Sequence, residues 1–195
     1  MGQKIGLFGG TFDPVHNGHV AIVNSFLDSG FIDELWIIPA PSPPHKSTDS
    51  ITGYEHRKRM LELVFKNRDQ IHINDIEQKL TLPSYTIQTI RFLKQKYTNS
   101  TFFLCIGEDS LASFDTWYKP DQIVEQCTLL VARRPGSNSK DVPKKYLDNA
   151  RFVDHEPVDL SASELREQLQ ATPEKAEEKI PAEAMAYIKE HHLYQ

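Results

Sequence analysis

The sequence is poor in cysteine: two in 195 residues, Cys105 and Cys127. Both sit in apolar runs (FFLCI and QCTLLVA), show no CxxC spacing and belong to no zinc-ligand cluster. The expectation is two buried thiols in a reducing compartment. Long hydrophobic runs are missing too. No stretch approaches the ~20 apolar residues of a membrane span, and the apolar part of MGQKIGLFGG is too short for a signal peptide. A cytoplasmic protein with no membrane partner is expected. Positive charge is in deficit, with 22 Lys+Arg against 27 Asp+Glu and a net charge of -5. That argues against a nucleic-acid partner, which leaves a basic footprint. Neither GK[ST] after a glycine loop nor GxGxxG occurs, so the common phosphate-loop signatures are absent. Internal repeats and low-complexity tracts are lacking as well.

What is present fits one core: 39% hydrophobic and 25% charged residues. Short apolar runs alternate with helix-like segments. Strands are expected at Lys4–Phe8, Leu35–Pro39, Ile71–Ile73, Thr101–Ile106, Thr128–Ala132 and Arg151–Val153. Helices are expected at Gly18–Leu27, Tyr54–Phe65 and Ser84–Tyr97, with apolar residues recurring at helical spacing. Residues Pro135–Lys145 read as a polar, turn-rich connector. Residues Ser161–Gln195 read as two helices split near Pro173–Pro181. Alternation of this kind implies an α/β fold with a doubly wound parallel sheet. The chain is expected to form one domain over 1–195, with 161–195 a small helical C-terminal subdomain. In such sheets ligands bind at the carboxyl ends of the strands, where strand order reverses. The loops to watch therefore follow Phe8, Pro39, Ile106 and Ala132.

The first of these loops is the most informative: Gly9-Gly10-Thr11-Phe12-Asp13-Pro14-Val15-His16-Asn17-Gly18-His19. Two glycines after a strand permit close approach of backbone to a ligand. Pro14 stiffens the loop. A helix beginning at Asn17 or Gly18 would aim unpaired N–H groups and a positive dipole end at phosphate. His16 and His19, three apart, would share a face there and could donate hydrogen bonds to phosphate oxygens. Other segments carry polar groups at the right places: Pro43-Pro44-His45-Lys46, Pro83-Ser84-Tyr85-Thr86, Gly107-Glu108-Asp109-Ser110, Trp117-Tyr118, Arg133-Arg134-Pro135-Gly136 and Leu160-Ser161-Ala162-Ser163-Glu164-Leu165-Arg166.

GGTFDPVHNGH resembles the (T/H)xGH signature of the nucleotidyltransferase superfamily. With GGTFDP leading, it is similar to the bacterial nicotinate-nucleotide adenylyltransferase family in particular. The other segments resemble that family's motifs in the same order, from Ile5 to about Tyr194. Leu160, Ala162 and Ser163 depart from its ISSTxIR pattern; Ser163 keeps a hydroxyl and Ala162 does not.

The resemblance implies a Rossmann-like fold, with ATP and nicotinate mononucleotide as partners, Mg²⁺ carried in with ATP, and a monomer or small homo-oligomer. It implies catalytic roles for His16, His19, Lys46 and Arg166. ATP would contact Gly9, Gly10, Thr11, Phe12, His16, His19, Gly107, Ser161, Ser163, Arg166 and an arginine of the Arg133/Arg134 pair, for which Arg134 stands. Nicotinate mononucleotide would contact Thr11, His45, Lys46, Ser84, Tyr85, Thr86, Asp109, Trp117 and Tyr118. Trp117 would stack on the pyridine ring and the amides near Thr86 would hold its carboxylate, which is the physical reason to prefer nicotinate over neutral nicotinamide.

Several of these residues have plainer readings. Ser161 with Glu164 three later is a capping box, Trp117 and Tyr118 could plug the core, and His45 and Lys46 could belong to a solvated loop. Arginine at a strand end is common on any surface. Rival functions are an enzyme using nicotinamide mononucleotide or another small phosphorylated acceptor, a non-catalytic nucleotide sensor, and a nucleic-acid module. No nucleophile constellation and no metal-ligand cluster is written in the sequence. The reaction implied is direct attack of the acceptor phosphate on the α-phosphorus of ATP.

Overall fold

The computed structural model describes residues 2–41, 51–80, 84–133, 142–156 and 158–195. Among them, strands β1 (Lys4–Gly10), β2 (Glu34–Pro39), β3 (Ile71–Ile73), β4 (Thr101–Gly107), β5 (Thr128–Arg133) and β6 (Ala150–Asp154) form one sheet. The order is β3-β2-β1-β4-β5-β6 and every pairing is parallel. The chain thus winds one way from β1 to β3 and the other way from β4, so β1 and β4 flank the switch point.

The apolar runs lie on both faces of the sheet, as expected of strands covered by helices on each side. Alternate residues divide between two cores. Leu35, Ile37, Cys105, Leu130 and Ala132 enter one; Ile5, Leu7, Trp36, Ile38, Leu104, Ile106, Leu129 and Val131 enter the other. The first core is closed by α1 (Asn17–Asp28), α2 (Tyr54–Val64), α7 (Ala162–Ala171), α8 (Pro173–Glu177) and α9 (Ala182–Glu190). The second is closed by α3 (Thr86–Lys96), α4 (Glu108–Ala112), α5 (Pro120–Gln126) and α6 (Lys144–Asp148). Both cysteines are buried, one in each core.

All six strands and the three helices stand where the pattern puts them, within two residues at each end. Two expectations need correcting. The C-terminal stretch holds three helices rather than two, because Pro173 opens the short α8 instead of merely ending α7. The connector Pro135–Lys145 ends earlier than read, since Pro143 caps α6 at Lys144; residues 134–141 lie outside the described residues.

The C-terminal helices are tied to the motif loop. The Asn17 backbone N–H donates to Lys179 O at 2.9 Å and its side-chain amide to Glu178 O at 2.9 Å. In α9, Tyr187 Oη lies 3.0 Å from Nδ1 of His56 on α2.

Candidate active site

A cleft of about 910 Å³ opens at the carboxyl ends of β1 and β4. Its floor is Gly9, Gly10 and Gly107, and its walls are the start of α3 and the segment after α4. Gly9 is exposed although it lies in a central strand. A side chain there would meet only Ile38 O, at 4.0 Å, and would project into the cleft. At Gly10 a Cβ would lie 2.8 Å from the Phe12 ring, so the turn closes only on glycine.

The loop beyond Gly10 is held by polar groups. Phe12 adopts a left-handed φ of 52° and the Asp13–Pro14 peptide is cis. A bulky residue keeps such a φ only where its surroundings impose it. Phe12 is buried edge-on against Phe8, ring centroids 5.6 Å apart. Asp13 is also buried. Its carboxylate accepts from Tyr194 Oη at 2.6 Å and the Thr52 N–H at 3.3 Å, and stands 4.0 Å from Arg166 Nη1. Arg57 is 1% exposed. Its guanidinium donates to Thr11 O at 2.7 Å, Thr52 O at 2.8 Å and Pro41 O at 3.3 Å.

His16 caps α1 and His19 stands one turn on. Their rings lie 3.8 Å apart, so the expected shared face is present. The ring of His16 lies over Gly18, where a Cβ would sit 3.0 Å from Nδ1. Burial lowers the His16 pKa to about 4. Burial, and then the neighbouring His16, hold His19 well below the usual histidine range. Both imidazoles are therefore neutral at pH 7 without ligand. The His16 backbone N–H donates to Nδ1 of His19 at 3.2 Å. An N–H can only donate, so Nδ1 of His19 carries no proton and Nε2 does. His19 is thereby prepared as a neutral donor. Nδ1 of His16 is buried and has no hydrogen-bond partner among the described residues.

The helix N-terminus differs from expectation. The Asn17 N–H is taken up by Lys179 O and the His19 N–H returns to His16 O at 2.9 Å. Among the described residues this leaves the Gly18 N–H as the first-turn donor without a backbone acceptor, fewer than the helix end was expected to offer.

At the other wall, the Tyr85 N–H is bound by Gln88 Oε1 at 2.9 Å, closing the first turn of α3. The amides of Thr86 and Ile87 begin the helix and face no helical acceptor. Trp117 is half-buried along the cleft, 5.2 Å from the Phe114 ring. Tyr118 is 46% exposed and its ring lies 4.3 Å from that of Tyr85, across the cleft mouth. Tyr118 thus lines the opening, whereas Trp117 both lines the cleft and packs against the second core. Ser84 also faces the cleft, with its hydroxyl donating to Glu77 Oε2 at 3.1 Å. Asp109 is exposed on the first turn of α4, one residue before cleft-lining Ser110.

A second recess, of about 480 Å³, is bordered by Thr52, Ser163, Arg166 and Tyr194. Arg166 donates to Asp13 O at 2.8 Å and to Ser163 Oγ at 3.2 Å, and so joins this recess to the motif loop. Ser161 occupies the N-cap of α7 as expected, but its hydroxyl makes no capping bond. The reciprocal box with Glu164 is not formed, which leaves the Ser161 oxygen for another partner. Arg133 leans sideways along the sheet, 3.6 Å from Asp154 and 5.1 Å from the Phe152 ring centroid. His45, Lys46 and Arg134 lie outside the described residues.

Residues 7–168 match the cytidylyltransferase-like family. The nicotinate-nucleotide adenylyltransferase of Bacillus subtilis is 34% identical over 193 residues, 99% of each chain. A probable nicotinate-nucleotide adenylyltransferase of Oceanobacillus iheyensis is 36% identical, over 98% of this chain and 97% of the other. The chain belongs to the cytidylyltransferase-like family, among the nicotinate-nucleotide adenylyltransferases. The structure of Plasmodium falciparum nicotinic acid mononucleotide adenylyltransferase complexed with NaAD superimposes with a TM-score of 0.82 at 20% identity, covering 98% of this chain and 97% of that one. At that identity the likeness shows the fold.

Within this adenylyltransferase fold, four polar residues at the site escaped the sequence reading: Asp13, Arg57, Glu77 and Tyr194. Asp13 stood inside the motif loop, yet nothing local marked it or Arg57 as buried. Glu77 and Tyr194 reach their partners across long sequence separations, seven and twelve residues for Glu77 and 181 for Tyr194. Among the described residues no group of three His, Cys, Asp or Glu side chains is arranged to hold a metal ion, and no helix is long and apolar enough to cross a membrane.

Proposed function

We infer that this chain transfers the adenylyl group of ATP to nicotinate mononucleotide, giving nicotinate adenine dinucleotide and pyrophosphate, a step of NAD biosynthesis. The observation that carries this is full-length similarity to nicotinate-nucleotide adenylyltransferases in a chain whose GGTFDPVHNGH loop lies at the sheet's switch point. An oxygen of the acceptor's 5′-phosphate forms a bond to the α-phosphorus of ATP as the bond to the bridging β-phosphate oxygen breaks, and pyrophosphate leaves in line. The attacking oxygen is already anionic at neutral pH, so no general base is required. The rate then rests on alignment and on donors aimed at the charge that develops.

We assign that charge to His16, His19, Lys46 and Arg166, with His19 Nε2–H on the α-phosphate. Gly9, Gly10, Thr11, Phe12, Gly107, Arg134, Ser161 and Ser163 complete the ATP site. Sideways engagement of Arg133 favours Arg134 for this role. The acceptor lies against Thr11, His45, Lys46, Ser84, Tyr85, Thr86, Asp109, Trp117 and Tyr118, its ring on Trp117 and its carboxylate at the Thr86 amide. Mg²⁺ enters with ATP, bound by phosphates and water, as suits this ion. The whole chain acts as one nucleotidyltransferase domain, with 161–195 a helical subdomain that carries Arg166 to the motif loop.

The test is pyrophosphate release from MgATP with nicotinate mononucleotide and with nicotinamide mononucleotide. Release with the nicotinate form is expected to dominate. Equal release with both would remove the carboxylate-recognition role of Thr86, and release with neither would remove the function.

A further inference from the structure

Glu77 is an acidic side chain on the wall of a cleft that has to accept an anion. It lies on the 3-10 turn Ile76–Lys79, anchored from below by buried Ile76. Both carboxylate oxygens are occupied. Oε2 accepts from Ser84 Oγ at 3.1 Å, and Oε1 accepts from Thr89 Oγ1 at 2.9 Å. Ser84 precedes α3 and Thr89 lies in its first turns, so one carboxylate grips the helix start on both sides of Thr86 and Ile87.

A hydroxyl has one proton. Because Ser84 and Thr89 give theirs to Glu77, both present only lone pairs to the cleft they line. Among the described residues, the donors left on this part of the wall are the first-turn amides of α3 and the Thr86 and Tyr85 hydroxyls. Without the carboxylate, the two hydroxyls would be free to turn their protons into the cleft, and the helix start would lose its attachment to the neighbouring turn.

We propose that Glu77 is a positioning residue for the pyridine mononucleotide: by binding the Ser84 and Thr89 hydroxyls it fixes the start of α3 and reserves anion recognition there for the helix amides. The proposal rests on reading this cleft as the acceptor site. Glu77 bonds Ser84 and Thr89 and none of the residues assigned to ATP, so its effect is expected on the acceptor.

The experiment is steady-state kinetics on the full chain for Glu77→Ala, Glu77→Gln and Thr89→Val, varying each substrate in turn. Glu77→Ala is expected to raise KM for nicotinate mononucleotide about tenfold, the equivalent of one good hydrogen bond to a charged group. KM for ATP and kcat should stay within about twofold, the scatter of an unaffected parameter. Glu77→Gln retains one acceptor and should recover part of the loss; Thr89→Val, which removes one hydroxyl at constant shape, should show a smaller rise of the same kind. If Glu77→Ala does not fold, the other two variants carry the comparison. Parallel changes in both KM values, a loss confined to kcat, or no change in Glu77→Gln and Thr89→Val would overturn the proposal. The wild type separates this from the functional reading. If it turns over only nicotinamide mononucleotide, the reading of the substrate fails, while Glu77 is judged on the KM of that acceptor.

Discussion

Replacing Arg57 with methionine isolates the device that shapes the GGTFDPVHNGH loop. Methionine preserves most of the apolar stem, so the loss is of the guanidinium alone. Three carbonyls lose their donor: Thr11 at 2.7 Å, Thr52 at 2.8 Å and Pro41 at 3.3 Å. A hydrogen bond from a charged group contributes about 1.5–3 kcal/mol. The long bond to Pro41 counts for little, and water can reach part of the loop. Two bonds at the low end give about 3 kcal/mol. For a chain of this length 1 kcal/mol moves Tm by about 2–4 °C, so Arg57→Met should melt about 6–12 °C below the wild type. Arg57→Lys keeps the charge without the fork and should recover less than half of that. Thermal unfolding followed by circular dichroism reads both. A Tm for Arg57→Met within about 2 °C of the wild type, less than a single kcal/mol on that scale, would mean that the loop holds its shape without the guanidinium, and the argument would fail.

Three other outcomes follow from the site. His16 is held at about pKa 4 against 6.5 when unfolded, so between these values the unfolded chain binds the extra proton. Stability from this group is full above pH 6.5 and falls by about 3 kcal/mol as pH drops toward 4; denaturant melts of His16→Asn should show a flatter decline over that window, and a wild-type slope no steeper than the variant's would refute the assignment. His19→Ala should lower kcat about 10²–10³-fold, as loss of one preorganised donor does, with ATP affinity by calorimetry changed far less; an unchanged kcat removes His19 from the chemistry. Trp117→Ala should raise KM for nicotinate mononucleotide about three- to tenfold through lost stacking and leave KM for ATP alone, whereas equal effects on both would return Trp117 to a packing role.

The central strands were legible because they are buried on both faces and read as apolar runs, as in TFFLCI and TLLVAR; the edge strands β3 and β6 are shorter and carry exposed His72 and Arg151. Sequence order could not show which run joins which core. That division follows from the pleat, which sends Leu104 and Ile106 to one side and Cys105 to the other. The short helices α4, α5, α6 and α8 were the weak point. Segments of five to seven residues are too short to display a helical period. Pro120, Pro143 and Pro173 mark the starts of α5, α6 and α8, but proline also marks loops.

The site was legible where residues face the ligand and illegible where they face the backbone. Glycines, histidines and aromatics advertise themselves by type and spacing, and the structure gathers Gly9, Gly10, Thr86, Gly107 and Trp117 around one cleft. Asp13, Arg57 and Tyr194 look like ordinary surface residues in the sequence, because their function is to satisfy carbonyls and one another inside the fold. Yet they explain the electrostatics of the visible residues. With the loop fixed by these buried bonds, His16 and His19 stand 3.8 Å apart, and burial lowers the pKa of each, so neither takes up a second proton at neutral pH. The pair rests neutral, one ring with its Nδ1 fixed as an acceptor by the backbone and the other with a buried Nδ1 that has no partner among the described residues. On the proposed function, a polyphosphate there would meet donors already in place, and its charge would favour the protonation that burial suppresses. The histidines of the motif owe this readiness to residues the motif does not emphasise.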